Sequence, residues 1–304
     1  MSDAVVLAVV GPTAIGKTAL GIHLAQHFQT EVISADSRQF FKEMEIGTAV
    51  PSKEELQQAK HHFIQHKSIL EPYSVGDFER DTIDLLEQLF KEHKIIVMVG
   101  GSGLYVDAVI NGLDKFPDVD PKIRESLNKQ LEQEGLENLQ KDLQQRDPDY
   151  FKIVDVDNPH RLIRALEVCI ASNQPYSSFL NQEKLQRPFK SLYVGINAPR
   201  EIIYERINKR VDLMMEQGLL DEAKKLHPHK QLNALQTVGY KELFEYLDGQ
   251  CTLEFAVSEI KKNTRRFAKR QLTWLRKNED ILWVDFDEDK NQVIAKINDR
   301  LNKI

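Results

Sequence analysis

A mixed α/β chain, with a doubly covered parallel sheet interrupted by an all-helical segment, is predicted from three observations. Short apolar runs of strand character recur at 4–10, 31–35, 94–99, 191–196 and 280–285, as expected of strands buried on both faces of a parallel sheet. Helical patterns separate them; over 77–93, for example, Phe78, Ile83, Leu86 and Phe90 form one apolar stripe. Between Phe116 and about 188 the strand pattern disappears. Pro117 and Pro121 punctuate the chain there, and 121–181 reads as helices rich in Gln, Glu and Lys. The expected organisation is a first core segment (1–116), a helical insertion domain (117–188) and a second core segment (189–304).

The first strand, 4–10, runs into Gly11-Pro12-Thr13-Ala14-Ile15-Gly16-Lys17-Thr18, and a helical pattern follows to residue 27. Strand, Gly-x-x-x-x-Gly-Lys-Thr, helix is the order that gives this motif its meaning. The glycines let backbone N–H groups turn inward around a phosphate chain, and the helix N-terminus adds its positive dipole end. Lys17 is expected to neutralise phosphoryl oxygens and the Thr18 hydroxyl to ligate Mg²⁺. The motif by itself leaves open which polyphosphate is bound, a nucleotide such as ATP included. With it, the fold class becomes a P-loop kinase-like parallel sheet core carrying a helical insertion.

Composition narrows the setting. No apolar run approaches the roughly 18–20 residues a membrane span needs, and the sequence begins almost directly in a strand, so neither a membrane span nor a secretory signal is expected. Cys169 and Cys251 lie far apart without Cys-x-x-Cys spacing, which argues against a disulfide framework or thiolate zinc site and for a reduced, cytoplasmic setting. At a net charge of −6, any nucleic-acid surface must be a local patch. Nothing calls for a partner subunit, so a monomer is expected.

The second strand delivers Asp36-Ser37-Arg38-Gln39 at its C-terminal end, where ligands bind in open α/β sheets. The third ends in Gly100-Gly101-Ser102-Gly103. A phosphoryl-transferring P-loop enzyme commonly carries a metal-holding Asp at such a strand end; here there are only backbone N–H groups and one hydroxyl. The glycines serve either a turn needing φ > 0 or a ligand-facing surface. Asp157-Asn158-Pro159-His160 reads as a helix start. His61 and His62 point to opposite faces of a strand, which favours hydrogen bonding over metal binding. The acids Asp147, Asp149, Asp155 and Asp157 lack Ca²⁺-loop spacing and read as solvated surface. Between 261 and 277 stand eight Lys/Arg and no acid. Arg266, Arg270 and Trp274 lie close to one helical face, a candidate track for a phosphate backbone.

Taken together, the phosphate loop, Asp36 to Gln39, Gly100-Gly101-Ser102-Gly103-Leu104-Tyr105 and His160-Arg161-Leu162-Ile163-Arg164 make the sequence resemble the bacterial tRNA dimethylallyltransferases (tRNA isopentenyltransferases). Ile46-Gly47-Thr48-Ala49, His61-His62, Tyr73-Ser74-Val75 and Gln236-Thr237-Val238-Gly239-Tyr240-Lys241-Glu242 extend the likeness over nearly the whole chain. It departs at His160, Gln65 and Ser102, where the family commonly has Gln, Asp and Thr. The resemblance implies transfer of a dimethylallyl group from its diphosphate to N6 of the adenosine immediately 3′ of the anticodon (position 37) in a tRNA anticodon stem-loop. For that reaction the weak acceptor amine needs a proton acceptor, and Asp36 is the expected general base with Ser102 as its polar partner near the same strand ends; the resemblance adds Arg206 and Arg210 as clamps on the diphosphate. It places Asp36, Ser37, Arg38, Gln39, Ser102, Arg124, His160, Arg161, Leu162, Ile163 and Arg164 against the RNA, with Arg266 and Arg270 tracking the stem. The absence of a zinc-finger extension matches the bacterial form. A small-molecule kinase, an adenylate-type isopentenyltransferase and a nucleotide-switched RNA-binding protein stay open as alternatives on the residues alone.

Overall fold

The computed structural model describes residues 4–180 and 186–304; residues 181–185, within the expected helical insertion, lie outside the described residues. Six strands form one parallel sheet in the order β3-β2-β4-β1-β5-β6, with β1 Val5–Val10, β2 Val32–Ser34, β3 His61–His62, β4 Ile95–Val99, β5 Lys190–Asn197 and β6 Leu282–Asp285. Helices α1 (Lys17–Phe28), α2 (Lys53–Gln58), α3 (Val75–Leu89) and α4 (Gly103–Asn111) alternate with the first four strands. Helices α5 to α8 (Pro121–Glu134, Leu136–Arg146, Pro148–Phe151, Pro159–Ser172) make up the interruption. After β5 come α9 (Arg200–Glu216), α10 (Leu219–Leu226), α11 (Tyr240–Leu247) and α12 (Leu253–Leu275), and α13 (Lys290–Leu301) follows β6.

β1 shows why the sheet holds. It pairs with β4 (Val5 opposite Ile95 through Val9 opposite Val99) and with β5 (Val5 opposite Lys190 through Val10 opposite Gly195). Its side chains alternate between two apolar layers. Val6, Ala8 and Val10 belong to a cluster with Phe78 and Leu86 of α3, Val106 and Val109 of α4 and Ile260 of α12. Leu7 and Val9 belong to another, with Leu20 and Leu24 of α1, Ile203 and Ile207 of α9 and Ile297 of α13. A strand covered on both faces has no polar position to spare, which accounts for the unbroken Val-Val-Leu-Ala-Val-Val. Because all strands are parallel, β1, β2 and β4 release their loops at the same edge of the sheet.

Local signals explain most element ends. α3 begins at Val75, two residues before the expected start, because Ser74 caps it: Asp77 N–H donates to Ser74 Oγ while the Asp77 carboxylate accepts from Ser74 N–H. The segment read as one helix over 52–61 divides into α2 and the short strand β3. No helix among the described residues is long and apolar enough to cross a membrane.

The chain divides into two compact units, Met1–Asn111 with Gln186–Ile304, and Gly112–Leu185. The second unit packs its helices around Leu127, Leu139, Leu143, Leu162, Ile163 and Leu166. Asn158 starts α8 as the sequence suggested, its Oδ1 accepting the His160 and Arg161 amides at 3.1 and 3.3 Å. The expectation of solvated acids fails at Asp147. It is buried, and its carboxylate accepts from Tyr150 N–H, Ser177 N–H and Ser177 Oγ at 2.9, 2.6 and 2.9 Å, fixing α7 to the turn at Tyr176–Phe179. Asp149, by contrast, is exposed and pairs with Lys152.

Candidate active site

The loop after β1 is shaped for an anion. Gly11 and Gly16 take φ of 152° and 110°, and Ala14 joins them at 64°, so the backbone curls with its amides inward. Gly16 at the α1 N-cap provides no capping side chain, which leaves the first N–H groups of a 12-residue helix open to a ligand. Lys17 Nζ donates to the Pro12 carbonyl at 2.9 Å, folding the lysine across the loop. From α9, Arg206 Nε donates to the Ala14 carbonyl at 2.8 Å, and Arg210 stands one turn further on. Burial pulls the Lys17 pKa down to about 8; nearby Arg210 adds to this and Asp36 opposes it. The Arg210 pKa is lowered chiefly by burial and then by Arg206. Three cations held this close in a partly desolvated site call for a multiply charged anion.

Facing the loop, the ends of β2 and β4 supply the polar groups. Arg38 N–H donates to Asp36 Oδ1 at 3.1 Å, setting the carboxylate at the strand end. Ser102 Oγ accepts from Ser37 N–H at 3.3 Å and lies 3.2 Å from Ser37 Oγ. The glycines at this turn are not there for positive φ, since none of Gly100, Gly101 and Gly103 adopts one. They permit close approach instead. A Cβ on Gly100 would lie 2.7 Å from the Ala35 carbonyl oxygen, on Gly101 2.5 Å from Gln271 Nε2, and on Gly103 2.5 Å from Trp274 Cε3.

Helix α12 thus forms a wall of the site. The cleft between these elements has a volume of ≈ 870 Å³ and also takes in Thr18, Arg206, Arg210, Arg270 and an apolar side of Ile207, Val211, Met214, Leu219, Val238 and Ile260. Phe267 and Leu104, 39% and 59% exposed, lie along it as well.

The structure brings Asp36, Ser37, Arg38, Ser102, Lys17, Thr18, Arg206, Arg210 and Arg270 to one cleft and gives other expected RNA contacts different work. Gln39 also lines this cleft but is buried, its Oε1 accepting from Ser34 Oγ and its Nε2 reaching the Thr48 and Ala49 carbonyls, so it holds a loop. Leu162 and Ile163 face the core of the helical unit because α8 must bury one stripe; their reading as RNA contacts is corrected. His160 and Arg161 are exposed on the first turn of α8. Arg124 and Arg164 share Glu167, which is 3% exposed: Arg124 donates through Nε and Nη2 at 2.6 and 2.9 Å, and Arg164 through Nη1 at 2.6 Å. Arg164 also lies over the Phe116 ring. One buried carboxylate therefore holds two half-exposed arginines side by side, a fixed basic pair. His61 bonds to the Ala59 carbonyl and His62 to Glu31, and no metal-binding group of His, Cys, Asp or Glu occurs among the described residues.

Along α12, the basic run is less free than its charge suggests. Lys261 pairs with Asp212, Lys262 with Glu259, and Arg265 with Asn208 Oδ1 at 2.7 Å. Arg266 is exposed, and Arg270 lies over the Phe267 ring.

Sequence reasoning missed Gln271 and Glu222. Glu222 of α10 accepts the Glu45, Ile46 and Gly47 amides at 3.0, 2.8 and 2.9 Å and the Tyr240 hydroxyl at 2.7 Å. Two separated motifs, Ile46-Gly47-Thr48-Ala49 and Val238-Gly239-Tyr240, meet there. A Cβ on Gly47 would sit 2.5 Å from Tyr240 Cζ, and that ring is fully buried. We expect Gly47→Ala to destabilise the protein by ~1–3 kcal/mol through this overpacking, read as a lower urea midpoint with unchanged slope.

Comparison with known proteins places this architecture. Residues 39–278 match the family model described as IPP transferase. The chain is 62% identical over 294 residues to the tRNA dimethylallyltransferase of Christiangramia forsetii, covering 97% of each chain. It is 56% identical over 301 residues to that of Flavobacterium johnsoniae, again covering 97% of each. Among solved structures, it resembles the tRNA isopentenylpyrophosphate transferase of Bacillus halodurans with a TM-score of 0.73 and 37% identity, covering 99% of this chain and 96% of that one. It also resembles a eukaryotic dimethylallyltransferase acting on tRNA, with a TM-score of 0.82 and 27% identity, covering 99% and 80%. With a family model spanning well over half its length and relatives this similar over nearly all of it, the chain belongs to the IPP transferase family.

Proposed function

We propose that this protein transfers a dimethylallyl group from dimethylallyl diphosphate to N6 of the tRNA adenosine immediately 3′ of the anticodon, releasing pyrophosphate. The observation that carries this reading is the opposition of two ligand sites in one cleft. On one side, Lys17, Arg206, Arg210 and the open amides of α1 suit a diphosphate. On the other, Asp36 with Ser37 and Ser102 suits an acceptor that must lose a proton. The apolar side between Ile207 and Ile260 fits a branched five-carbon group.

The chemistry follows from the groups. The C1–O bond to the diphosphate breaks and its electron pair leaves with the bridging oxygen, where the loop cations stabilise the growing negative charge. The allylic system delocalises the positive charge left on carbon. The N6 lone pair forms the new N–C1 bond, and the N6 proton passes to the Asp36 carboxylate. N6 is a weak nucleophile because its lone pair is conjugated into the ring, so alignment against C1 matters as much as basicity. An adenosine within a stem-loop must leave its stack to enter such a cleft.

The Thr18 hydroxyl lines the cleft at the start of α1 and would hold Mg²⁺ together with the diphosphate and water, an ion that favours hard oxygen ligands and binds with few protein groups. Bound there, the ion would neutralise leaving-group charge. Phosphoryl-transferring P-loop enzymes commonly carry a metal-holding carboxylate at the strand end that β4 occupies here. A prenyl transfer has no such requirement, and Gly100-Gly101-Ser102 fits it.

Exposed Arg266, Arg270, His160 and Arg161 and the Arg124–Arg164 pair are the proposed phosphate and loop contacts, with Phe267 and Leu104 as surfaces on which a base can stack. Replacing Arg266 and Arg270 together with alanine is expected to reduce the salt slope of RNA binding by about two, one per lost phosphate contact. Filter binding across a salt series checks this, and an unchanged slope would remove these arginines from the contact surface. Labelled dimethylallyl diphosphate should transfer its label to an anticodon stem-loop with adenosine after the third anticodon base. Label appearing on free AMP but not on RNA would overturn the tRNA assignment, and ATP-dependent phosphorylation without prenyl transfer would point to a kinase.

A further inference from the structure

We propose that Gln271 is a positioning residue that sets the distance between the leaving-group site and the acceptor site. In a helix segment dominated by charge, Gln271 is only 7% exposed. Its two amide atoms serve different loops. Oε1 accepts the Thr13 N–H of the phosphate loop at 2.9 Å, and Nε2 donates to the Gly101 carbonyl at the end of β4 at 2.8 Å. The first contact spans 258 residues of sequence and the second 170.

The three segments are built around this side chain. Gly101 leaves no room for a Cβ, which would fall 2.5 Å from Gln271 Nε2 and 3.5 Å from Lys17 Nζ. The amide of Gln271 and the lysine of the phosphate loop therefore both stand against Gly101, one residue before Ser102, which bonds to Ser37 beside Asp36. Trp274 packs on Gly103 one turn along the same helix, so Gln271 cannot drift without dragging α12. The Gln271 amide can donate and accept at once, the combination the Thr13 N–H and Gly101 carbonyl require. Alanine offers neither and glutamate when ionised only accepts. Thr13 belongs to the cradle of the diphosphate, and Gly101 adjoins the hydroxyl pair at the acceptor. Gln271 thus holds two halves of a reaction whose rate depends on the gap between C1 and N6.

This rests on the prenyl-transfer reading. The test compares wild type, Gln271→Ala and Gln271→Glu by single-turnover transfer to a stem-loop at saturating dimethylallyl diphosphate, by calorimetric affinity for inorganic pyrophosphate, and by Tm. For Gln271→Ala we expect a transfer rate about 100-fold lower, the scale of a misplacement near 1 Å, with pyrophosphate affinity within about threefold of wild type, since the lost contact holds a loop rather than the anion. Gln271→Glu keeps the shape and the acceptor for Thr13. It should bind pyrophosphate more weakly near neutral pH, where the carboxylate adds negative charge beside the phosphate loop, and regain affinity and rate as pH falls and the protonated carboxyl again donates to Gly101.

A Gln271→Ala rate within threefold of wild type would overturn the proposal, as would a rate fully restored by more dimethylallyl diphosphate, which would make the role one of binding. If the alanine variant fails to fold, the isosteric glutamate variant decides: a pH response parallel to wild type overturns the proposal. If wild type itself transfers no prenyl group, the functional reading fails, while the pyrophosphate response of Gln271→Glu still reports whether residue 271 shapes the phosphate loop.

Discussion

Asp36→Ala is expected to lower single-turnover prenyl transfer by ~10²–10⁴, the range for removal of a positioned general base, while reducing RNA affinity less than Arg164→Ala does. The contrast follows from their surroundings. Asp36 sits at the β2 end in the cleft, its Oδ1 accepting the Arg38 amide in a turn of its own making. Arg164 stands half-exposed beside Arg124 on Glu167, with its guanidinium over Phe116. One is placed for a proton and the other for a polyanion. The experiment needs one precaution, because Asp36 is the group that opposes the lowering of the Lys17 pKa. Removing it makes Lys17 lose its proton more readily, so the comparison belongs at or below neutral pH, where the lysine stays charged. Asp36→Asn removes the base and the charge while retaining shape and the contact with Arg38 N–H, so at the same pH it tests the carboxylate without the loss of that turn. If Asp36→Ala and Arg164→Ala lose RNA binding equally, Asp36 is an RNA contact rather than the base.

How much of this was legible in the sequence depended on distance along the chain. The loop from Gly11 to Thr18, the strand before it and the helix after it are contiguous, so motif and period describe them together. Asp36 and Ser102 were recognisable because parallel strands deliver their C-terminal ends to the same edge. The glycines at 100, 101 and 103 were read between a φ > 0 turn and a ligand surface. Both missed their immediate cause, which is the closeness of Ala35, Gln271 and Trp274. That cause lies mostly on a helix 170 residues away, and no local pattern contains it. The same holds for Glu222, whose four hydrogen bonds tie together segments 175 residues apart. The basic run drew attention to its charged face and hid the buried residue on the other. In α8, the run His160 to Arg164 looked like a single recognition motif, but a helix divides it: Leu162 and Ile163 turn to the core, His160 and Arg161 to solvent. Residue type and spacing located the chemistry, and tertiary contacts decided which neighbours it works through.

Lys17→Ala is expected to reduce kcat/KM for dimethylallyl diphosphate by at least the ~10²–10³ associated with losing one well-placed donor to developing negative charge. The same residue should give the wild-type protein a distinctive response to pH. Burial holds the Lys17 pKa near 8 in the free protein, against an ordinary 10.5. Pyrophosphate binds the protonated lysine, so affinity, corrected for the ligand's own titration, should fall as pH rises through about 8. Stability moves the other way. Between about 8 and 10.5 the unfolded chain keeps a proton on this lysine that the folded protein has released, so the contribution of Lys17 to folding stability rises with pH across that window. Lys17→Met removes both trends, since a methionine of similar length carries no proton to lose. Calorimetric titrations with pyrophosphate at pH 7 and 9, beside urea unfolding of the free protein at pH 8 and 10, give the two slopes. Opposite signs in wild type and none in Lys17→Met would assign both to the one amine. Parallel slopes would mean that a different group governs the phosphate loop. A half-buried lysine whose neutral form favours the free protein and whose charged form favours the ligand is suited to capture a diphosphate and to balance the charge that grows on it as the C1–O bond breaks.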